Sequence, residues 1–411
     1  MAHPEGNDGA PEAIILPTSR RTPFELPAEL QALQSQGRPI SRLRFPDGHL
    51  GWLVTSDALG RRVLVDGRFS VQDGRSPVGD PVENESVKRA FHARPESRGA
   101  ILEWDRPLHA RLRRAQASHF TANHTKVYQS IIEKIVEARL DAMQAAGSPV
   151  DLVHEFALPV SSMTICEIMG VPAEDREKFE RPSAATLDLD ATSEERIAAN
   201  DELFTYARQV IASKRANPVG DLLSDLVVGG QLSDEELAGA AALLFEAGHG
   251  TTASMFALGT FALLVDQERW QALRSDPSLV DNAVEELLRY LTIFHLGAFT
   301  RTAIEAVELD GILIAAGESV VVSLPAANRD PGRYANPDQF DLQRDAHGHM
   351  AFGHGRHVCL GQYLARLELQ VGFRAMLDRF PSLHLAVAPE DVPLYEEELI
   401  IQGVHRLLVA W

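Results

Sequence analysis

Apolar residues recurring at three- and four-residue intervals dominate this chain and predict helices over roughly 124–146, 151–169, 173–187 and 194–215. Asp105-Arg106-Pro107 reads as an N-cap followed by proline in a first turn, opening a basic helix that runs to about Phe120. The longest predicted helix starts at Ser233, where an S-x-x-E capping box with Glu236 satisfies the first turn, and continues to about Val265. At about thirty residues it is long enough to cross the whole molecule. Short β-rich segments lie near 51–55, 61–65, 298–303, 307–314 and 319–323, and Asp310-Gly311 marks a hairpin turn between two of them. An irregular Pro/Asn/Asp-rich stretch from Ala326 to Met350 then leads into a Gly-rich loop. A last helix is predicted from Cys359 to about Arg379, closed by Pro381. The pattern is mainly α, with small peripheral β-sheets.

Composition narrows the picture. The chain has 411 residues with 45% hydrophobic content, enough for a substantial core, and shows no repeat, low-complexity tract or long linker. We therefore expect a flexible N-terminal segment, 1–20, and one large helical domain, 21–411. No apolar stretch approaches a bilayer span and the N-terminus lacks the pattern of a signal peptide, so no membrane association and a cytoplasmic location are expected. Thirty-nine basic against 58 acidic residues give a formal charge of -19, which opposes binding to nucleic acid or to an anionic membrane. Two cysteines, Cys166 and Cys359, cannot form a disulfide framework. Cys166 lies in an apolar run and reads as packing; Cys359 does not.

The segment Phe352-Gly353-His354-Gly355-Arg356-His357-Val358-Cys359-Leu360-Gly361 puts a lone cysteine between a glycine-rich turn and a helix N-terminus. Unpaired N–H groups and the positive end of the helix dipole favour a thiolate there, and glycines allow positive φ and close approach of a flat ligand. This segment resembles the haem-binding loop of the cytochrome P450 superfamily, F-G-x-G-x-H-x-C-x-G, at every specified position. The resemblance implies haem b, with Cys359 as the axial ligand of the iron and Phe352, Gly353 and Gly361 lying against the cofactor.

Further segments fit the same family in order, from about residue 20 to Trp411. Glu286-Leu287-Leu288-Arg289 matches its E-x-x-R, and the resemblance implies that Glu286 and Arg289 join Arg344 in a buried lock on the irregular segment. In Trp104-Asp105-Arg106-Pro107-Leu108-His109-Ala110-Arg111-Leu112-Arg113-Arg114, His109 and Arg113 share one helical face. The resemblance makes these two propionate donors, with Arg301 and His357 beside them. Ala247-Gly248-His249-Gly250-Thr251-Thr252 is similar to the oxygen-binding A-G-x-acid-T, which implies that Ala247 lies over the haem and that Gly248, Gly250 and Thr251 handle oxygen and water.

The match departs from the pattern at one place. The residue before the threonine is usually an acid that relays protons, and here it is Gly250. Water with Thr251 is one replacement, a substrate group is a second, and diversion to hydrogen abstraction and coupling is a third. Two glycines in a helix cost roughly 1 kcal/mol each, so Gly248 and Gly250 suggest a widened or kinked turn rather than ordinary packing. Glu246, four residues earlier, shares a face with Leu243, Ala247, Gly250 and Thr251. It either binds an N–H or cationic group of the substrate or points past the pocket to a protein partner. His249 is read as lying on the far helix face.

The expected activity is that of a haem-thiolate oxidoreductase that uses O2 to oxidise a small organic molecule, by hydroxylation or related tailoring of a bacterial secondary metabolite. The alternative is oxidative C–C or C–N coupling, or desaturation, of an aromatic or cyclic-dipeptide-like substrate. Gly403 to Trp411 and Ala326 to Pro331 look like the actinobacterial branch of the family. Pocket walls are expected from Leu243, Phe294, Leu296, Gly297, Phe299, Leu399 and Ile400, from the region around Ser70 to Ala100 and from the loop Pro182 to Ser193. A monomer is expected, served by separate ferredoxin and ferredoxin reductase, with Arg113, Arg114, Arg356 and Arg366 as candidate docking charges.

Overall fold

A computed structural model describes residues 13–72, 93–187, 191–295, 300–396 and 399–411. Its principal helices are α1 (Ala28–Ser35), α2 (Asp57–Val65), α3 (Leu108–Ala117), α4 (Gln129–Ala146), α5 (Leu158–Met169), α6 (Glu177–Leu187), α7 (Ser193–Ala216), α8 (Asp234–Leu264), α9 (Val280–Leu291) and α10 (Gln362–Arg379), with further short helices between them, Leu222–Gly229 and Gln267–Ser275 included. The 31-residue α8 begins at the Ser233/Glu236 capping box and is the axis of the molecule. Its neighbours come very close. A Cβ at Gly239 would strike the Glu96 carbonyl, and one at Gly248 would lie 3.0 Å from the Ile165 side chain of α5. The core runs through α4, α5 and α7 to α10, with Phe156, Phe256 and Phe373 in edge or tilted contact.

The sheet is peripheral. Among the described residues, β1 (Ile40–Arg44), β2 (Leu50–Val54), β3 (Phe69–Ser70), β4 (Thr300–Ala303) and β5 (Ser319–Val322) form a sheet in the order β1-β2-β5-β4-β3. Ladder β2/β5 is parallel and the others are antiparallel. Val307–Leu309 and Ile312–Ile314 form the expected hairpin, with Asp310 and Gly311 both at positive φ.

Several expectations change. Residues 61–65 are helical, in α2, where Leu59, Val63 and Leu64 are buried at helical spacing and Arg61 pairs with Asp57 one turn back at 2.9 Å. The helix expected from Asp105 starts at Leu108, because the Asp105 carboxylate accepts from the Ser70 hydroxyl instead of capping. The last helix starts at Gln362, three residues beyond Cys359. Before residue 20, Ile14 bridges to Leu43 and Leu16 is buried. No described helix is long and apolar enough to cross a membrane.

The irregular chain after α9 is tied down by ions. Glu286 and Arg289, both fully buried, meet at 2.7 Å, and Arg344 Nε reaches Glu286 at 3.1 Å. Arg289 also donates to the carbonyls of Asn328, Pro337 and Gln339, and the Asp341 N–H donates to Glu286. Removing one member of such a buried set strands the others without compensation, at about 3–5 kcal/mol. Arg289→Met should therefore lower stability in urea by that amount. Arg374→Ala, which breaks an exposed pair with Asp281, should cost under about 1 kcal/mol. Equal effects would show that the buried set is not what holds this segment.

Candidate active site

The cysteine loop is shaped by its backbone. Gly353 and Gly355 sit at φ of 72° and 75°, a region closed to most side chains, and Gly355 backs onto the Leu64 carbonyl. The Cys359 N–H donates to the Phe352 carbonyl at 2.8 Å and the Gly353 N–H to the Met350 carbonyl at 2.8 Å. Beside Cys359, Phe352 is partly buried and Gly361 has open space where a Cβ would stand. Cys359 itself is exposed, with protein atoms crowded around its sulfur. Burial pushes the thiol up, while the Gly361 N–H and the Arg113 and Arg366 charges oppose it. A cation bound at the sulfur would add to that opposition and favour the thiolate.

Against this loop the chain assembles cations. The His109 and His357 rings lie 4.1 Å apart, and the Nε2 atoms of both are buried without a partner. Burial, aided by Arg113 and Arg356, pushes His109 down to about 4. Burial, with His109, Arg301, Arg356 and Arg113 around it, pushes His357 down to about 3. Arg301, 5% exposed on β4, is brought down to about 10 by burial, with Asp105 opposing and Arg356 assisting. Buried donors without acceptors are costly. A ligand carrying carboxylates satisfies them, so these residues fit the acidic edge of haem b.

The oxygen-helix motif lies in the one part of mid-α8 that is open. Residues 236–242 and 252–264 are buried, whereas Ala247 is exposed and Leu243, Glu246, Gly248, His249, Gly250 and Thr251 are partly buried. Among the described residues, a Cβ at Gly250 would meet nothing within 4 Å. The helix is continuous through this stretch, and a Cβ at Gly248 would crowd the Ile165 side chain at 3.0 Å. The Thr251 hydroxyl donates to the Ala247 carbonyl at 2.7 Å. His249 stacks on Phe245, which stacks on Phe179 of α6.

Of the expected walls, Phe294 is partly buried and bridges to Ile401. The Leu399 carbonyl pairs with His295 Nε2 at 2.8 Å, and Ile400 is 47% exposed. Leu296, Gly297 and Phe299 lie outside the described residues, as do 73–92 and 188–190 of the two expected pocket segments. The docking arginines separate. Arg113 is half-buried near Cys359 and Arg366 is bound by Glu285, whereas Arg114 is exposed. A groove of about 470 Å³ on this side is lined by Arg61, His347, His354, Val358, Tyr363 and Arg366, among others.

Sequence reasoning missed a second buried network. Glu285, next to Glu286, accepts from Nε and Nη2 of Arg366 on α10 and approaches His349 at 3.2 Å. Arg366 also lies over the Phe352 ring at 4.6 Å. Asn328, fully buried, accepts from the Met350 N–H at 2.6 Å and donates to Thr292. The available signal was the doubled acid at 285–286, since two adjacent carboxylates on one helix must find different partners.

The family profile "Cytochrome P450" matches residues 183–402. The chain is 44% identical over 399 residues to "Cytochrome P450 105C1" of Streptomyces sp, covering 97% of this chain and 98% of the relative. It is 41% identical over 380 residues to "Nocardicin C N-oxygenase" of Nocardia uniformis subsp. tsuyamanensis, covering 91% and 93%. The crystal structure of CYP105P1 in complex with filipin I superposes with a TM-score of 0.88 at 39% identity, over 97% of this chain and 99% of that one.

The Glu285 network has a pH signature. Burial alone would raise the Glu285 carboxyl, but His349 and the Arg366 guanidinium outweigh it and hold the group down at about 2. A carboxyl depressed by folding contributes stability that is complete above its unfolded value and lost as pH falls through the folded one. The loss should therefore spread from about 4.5 down to about 2. Urea midpoints across that range should fall less steeply for Glu285→Gln than for the parent. Parallel curves would contradict this assignment.

Proposed function

The chain belongs to the cytochrome P450 family and is a haem b oxidoreductase, and from that premise we propose that it inserts one oxygen atom into a small secondary metabolite. The observation that supports this reading is the pairing of the Cys359 loop, and of the buried His109 and His357 Nε2 atoms that find no partner among the described residues, with an open stretch in mid-α8.

In this reading Cys359 is the iron ligand, and His109, Arg113, Arg301 and His357 receive the propionates. Phe352, Gly353 and Gly361 shape one side of the cofactor site, while Ala247, Gly250 and Thr251 leave room for oxygen and water on the other; Gly248 faces Ile165 instead. Haem bound there supplies a redox-active iron at which dioxygen is activated. The protein's part is positional. Thr251 keeps its hydroxyl proton on the Ala247 carbonyl, so its oxygen is turned outward as an acceptor that orients water. Substrate rests against Leu243, Ala247, Phe294 and Leu399, with Glu246 at the edge of the same space. Leu296, Gly297, Phe299 and Ile400 remain proposed wall residues. Glu286, Arg289 and Arg344 keep the loop beneath Cys359 in place. A ferredoxin with its reductase supplies electrons, docking over the groove that Arg61, His347, His354 and Tyr363 line, with Arg114 nearby in sequence to Arg113. A relative named as an N-oxygenase supports nitrogen as well as carbon as the atom attacked.

The test is turnover with ferredoxin, reductase and heavy-isotope dioxygen on a natural-product extract. One labelled oxygen per product molecule is expected. Products that have lost hydrogen or joined two units, without label, would replace oxygen insertion by coupling or desaturation. Cys359→Ser should abolish the thiolate band of the reduced carbon-monoxide spectrum and reduce turnover at least about a hundredfold.

A further inference from the structure

We propose that Glu246 is the proton source for oxygen reduction in this enzyme, acting through water held in the space that Gly250 leaves open. The inference rests on the oxygen-insertion reading above and names the group that completes it.

The chemistry sets the requirement. Insertion consumes R–H, O2, two electrons and two protons, and yields R–OH and water. The C–H or N–H bond breaks, one oxygen atom enters the product, and the other leaves as water. The electrons come from a separate reductant, and the two protons must be carried in from solvent. Thr251 cannot originate them, because its hydroxyl already donates to the Ala247 carbonyl at 2.7 Å.

The open stretch of α8 offers few other groups. From Leu243 to Thr252 the titratable side chains are Glu246 and His249. His249 is turned onto Phe245 and, through it, toward Phe179 of α6. Burial pushes its imidazole down, with Glu180 opposing and Arg176 assisting. It is held neutral on the wrong side of the helix.

Glu246 is on the right side. At 3.6 residues per turn, Gly239, Leu243, Glu246 and Gly250 fall within an arc of about 60°. Gly239 fixes where that arc looks, since a Cβ there would meet the backbone of Glu96 and Gly99. Gly248 faces the opposite way, onto Ile165 of α5. Glu246 and Gly250 are four residues apart, with side-chain positions about 6 Å from each other. Helical side chains lean toward the N-terminus, so an acid at 250 would reach back over the turn that carries Glu246. In this chain position 250 has no side chain, and among the described residues nothing lies within 4 Å of a Cβ built there. The acid stands one turn earlier and the room stands where the acid would have been. A water in that room spans Glu246 and the outward-turned oxygen of Thr251. Glu246 gives up a proton through it and is reprotonated from solvent, so it is unchanged over the cycle.

The experiment compares three variants of the holoenzyme, Glu246→Gln, Glu246→Leu and Glu246→Leu/Gly250→Glu. Each is first required to show the thiolate carbon-monoxide band, and the parent to give singly labelled product, so that failure of the oxygen-insertion reading is seen separately. Product formed per reducing equivalent should fall about tenfold in Glu246→Gln and Glu246→Leu, with hydrogen peroxide making up the difference. The spectrally measured substrate affinity should stay within about twofold, and the double variant should recover most of the lost coupling. The resting enzyme, without turnover, should show an infrared carboxyl band, sensitive to exchange into heavy water, that Glu246→Gln removes. Unchanged coupling in both single variants overturns the proposal. So does a large loss of substrate affinity with coupling intact, which would make Glu246 a substrate anchor. Comparing Glu246→Leu with its Gly250→Glu partner keeps the test valid if the glutamine variant folds poorly, and no recovery in the double variant also overturns it.

Discussion

Two adjacent carboxylates on α9 have to be buried, and most of the proximal half of the molecule follows from how that is done. Glu286 turns to Arg289 and Arg344, and Glu285 turns to Arg366 and approaches His349. Each ion taken from water costs several kcal/mol unless its partners are close and its lone pairs filled. The arrangement is therefore all or none. Beyond Arg289 on α9 itself, its partners come from three places that share no regular ladder: α10, the irregular chain around 335–344, and His349 just before the cysteine loop. Satisfying the two acids fixes where all three must lie. Asn328 adds the last tie by holding the Met350 N–H. The loop that presents Cys359 is thus positioned by ion pairs and backbone carbonyls rather than by a sheet or a helix of its own.

On the other side of the site the constraint is volume. α8 is buried along most of its length, and such a helix ordinarily fills its surroundings to crystal-like density. Its glycines serve opposite ends. Gly239 and Gly248 let neighbouring chain approach, whereas Gly250 keeps a space open. The cost of each in helix propensity, about 1 kcal/mol relative to alanine, is the same. Only the surroundings tell close packing from a preserved cavity.

That difference explains what was legible in the sequence. The capping box at Ser233 and Glu236, the hairpin at Asp310-Gly311 and the length of α8 were readable because each is a local rule of hydrogen bonding. The cysteine loop was readable because ten residues in a fixed order carry it. Residues 61–65 misled because Val63 and Val65 suggest a strand, while burial of Leu59, Val63 and Leu64 on one side decides for a helix. Glu285, His349 and Arg366 were invisible as a set, since 64 residues separate Glu285 from its nearer partner along the chain and no periodicity links them. The tight fit at Gly248 was invisible for the same reason, as the Ile165 side chain against it comes from another helix.

The electrostatics of the site then bear on the fold as a whole. His109, Arg113, Arg301, Arg356 and His357 are brought together with Asp105 as the carboxylate facing them. Like charges gathered under partial burial oppose folding, and the two imidazoles respond by staying neutral. The Cys359 thiol is pushed the other way by its own burial and favours the neutral form. A ligand with an acidic edge and a metal centre reverses both tendencies at once, because it supplies acceptors to the cations and a positive charge to the sulfur. Its binding free energy is to that extent folding free energy. The half of the chain between α3 and the cysteine loop is therefore built to be completed by its cofactor, and the buried acids on α9 hold that half together.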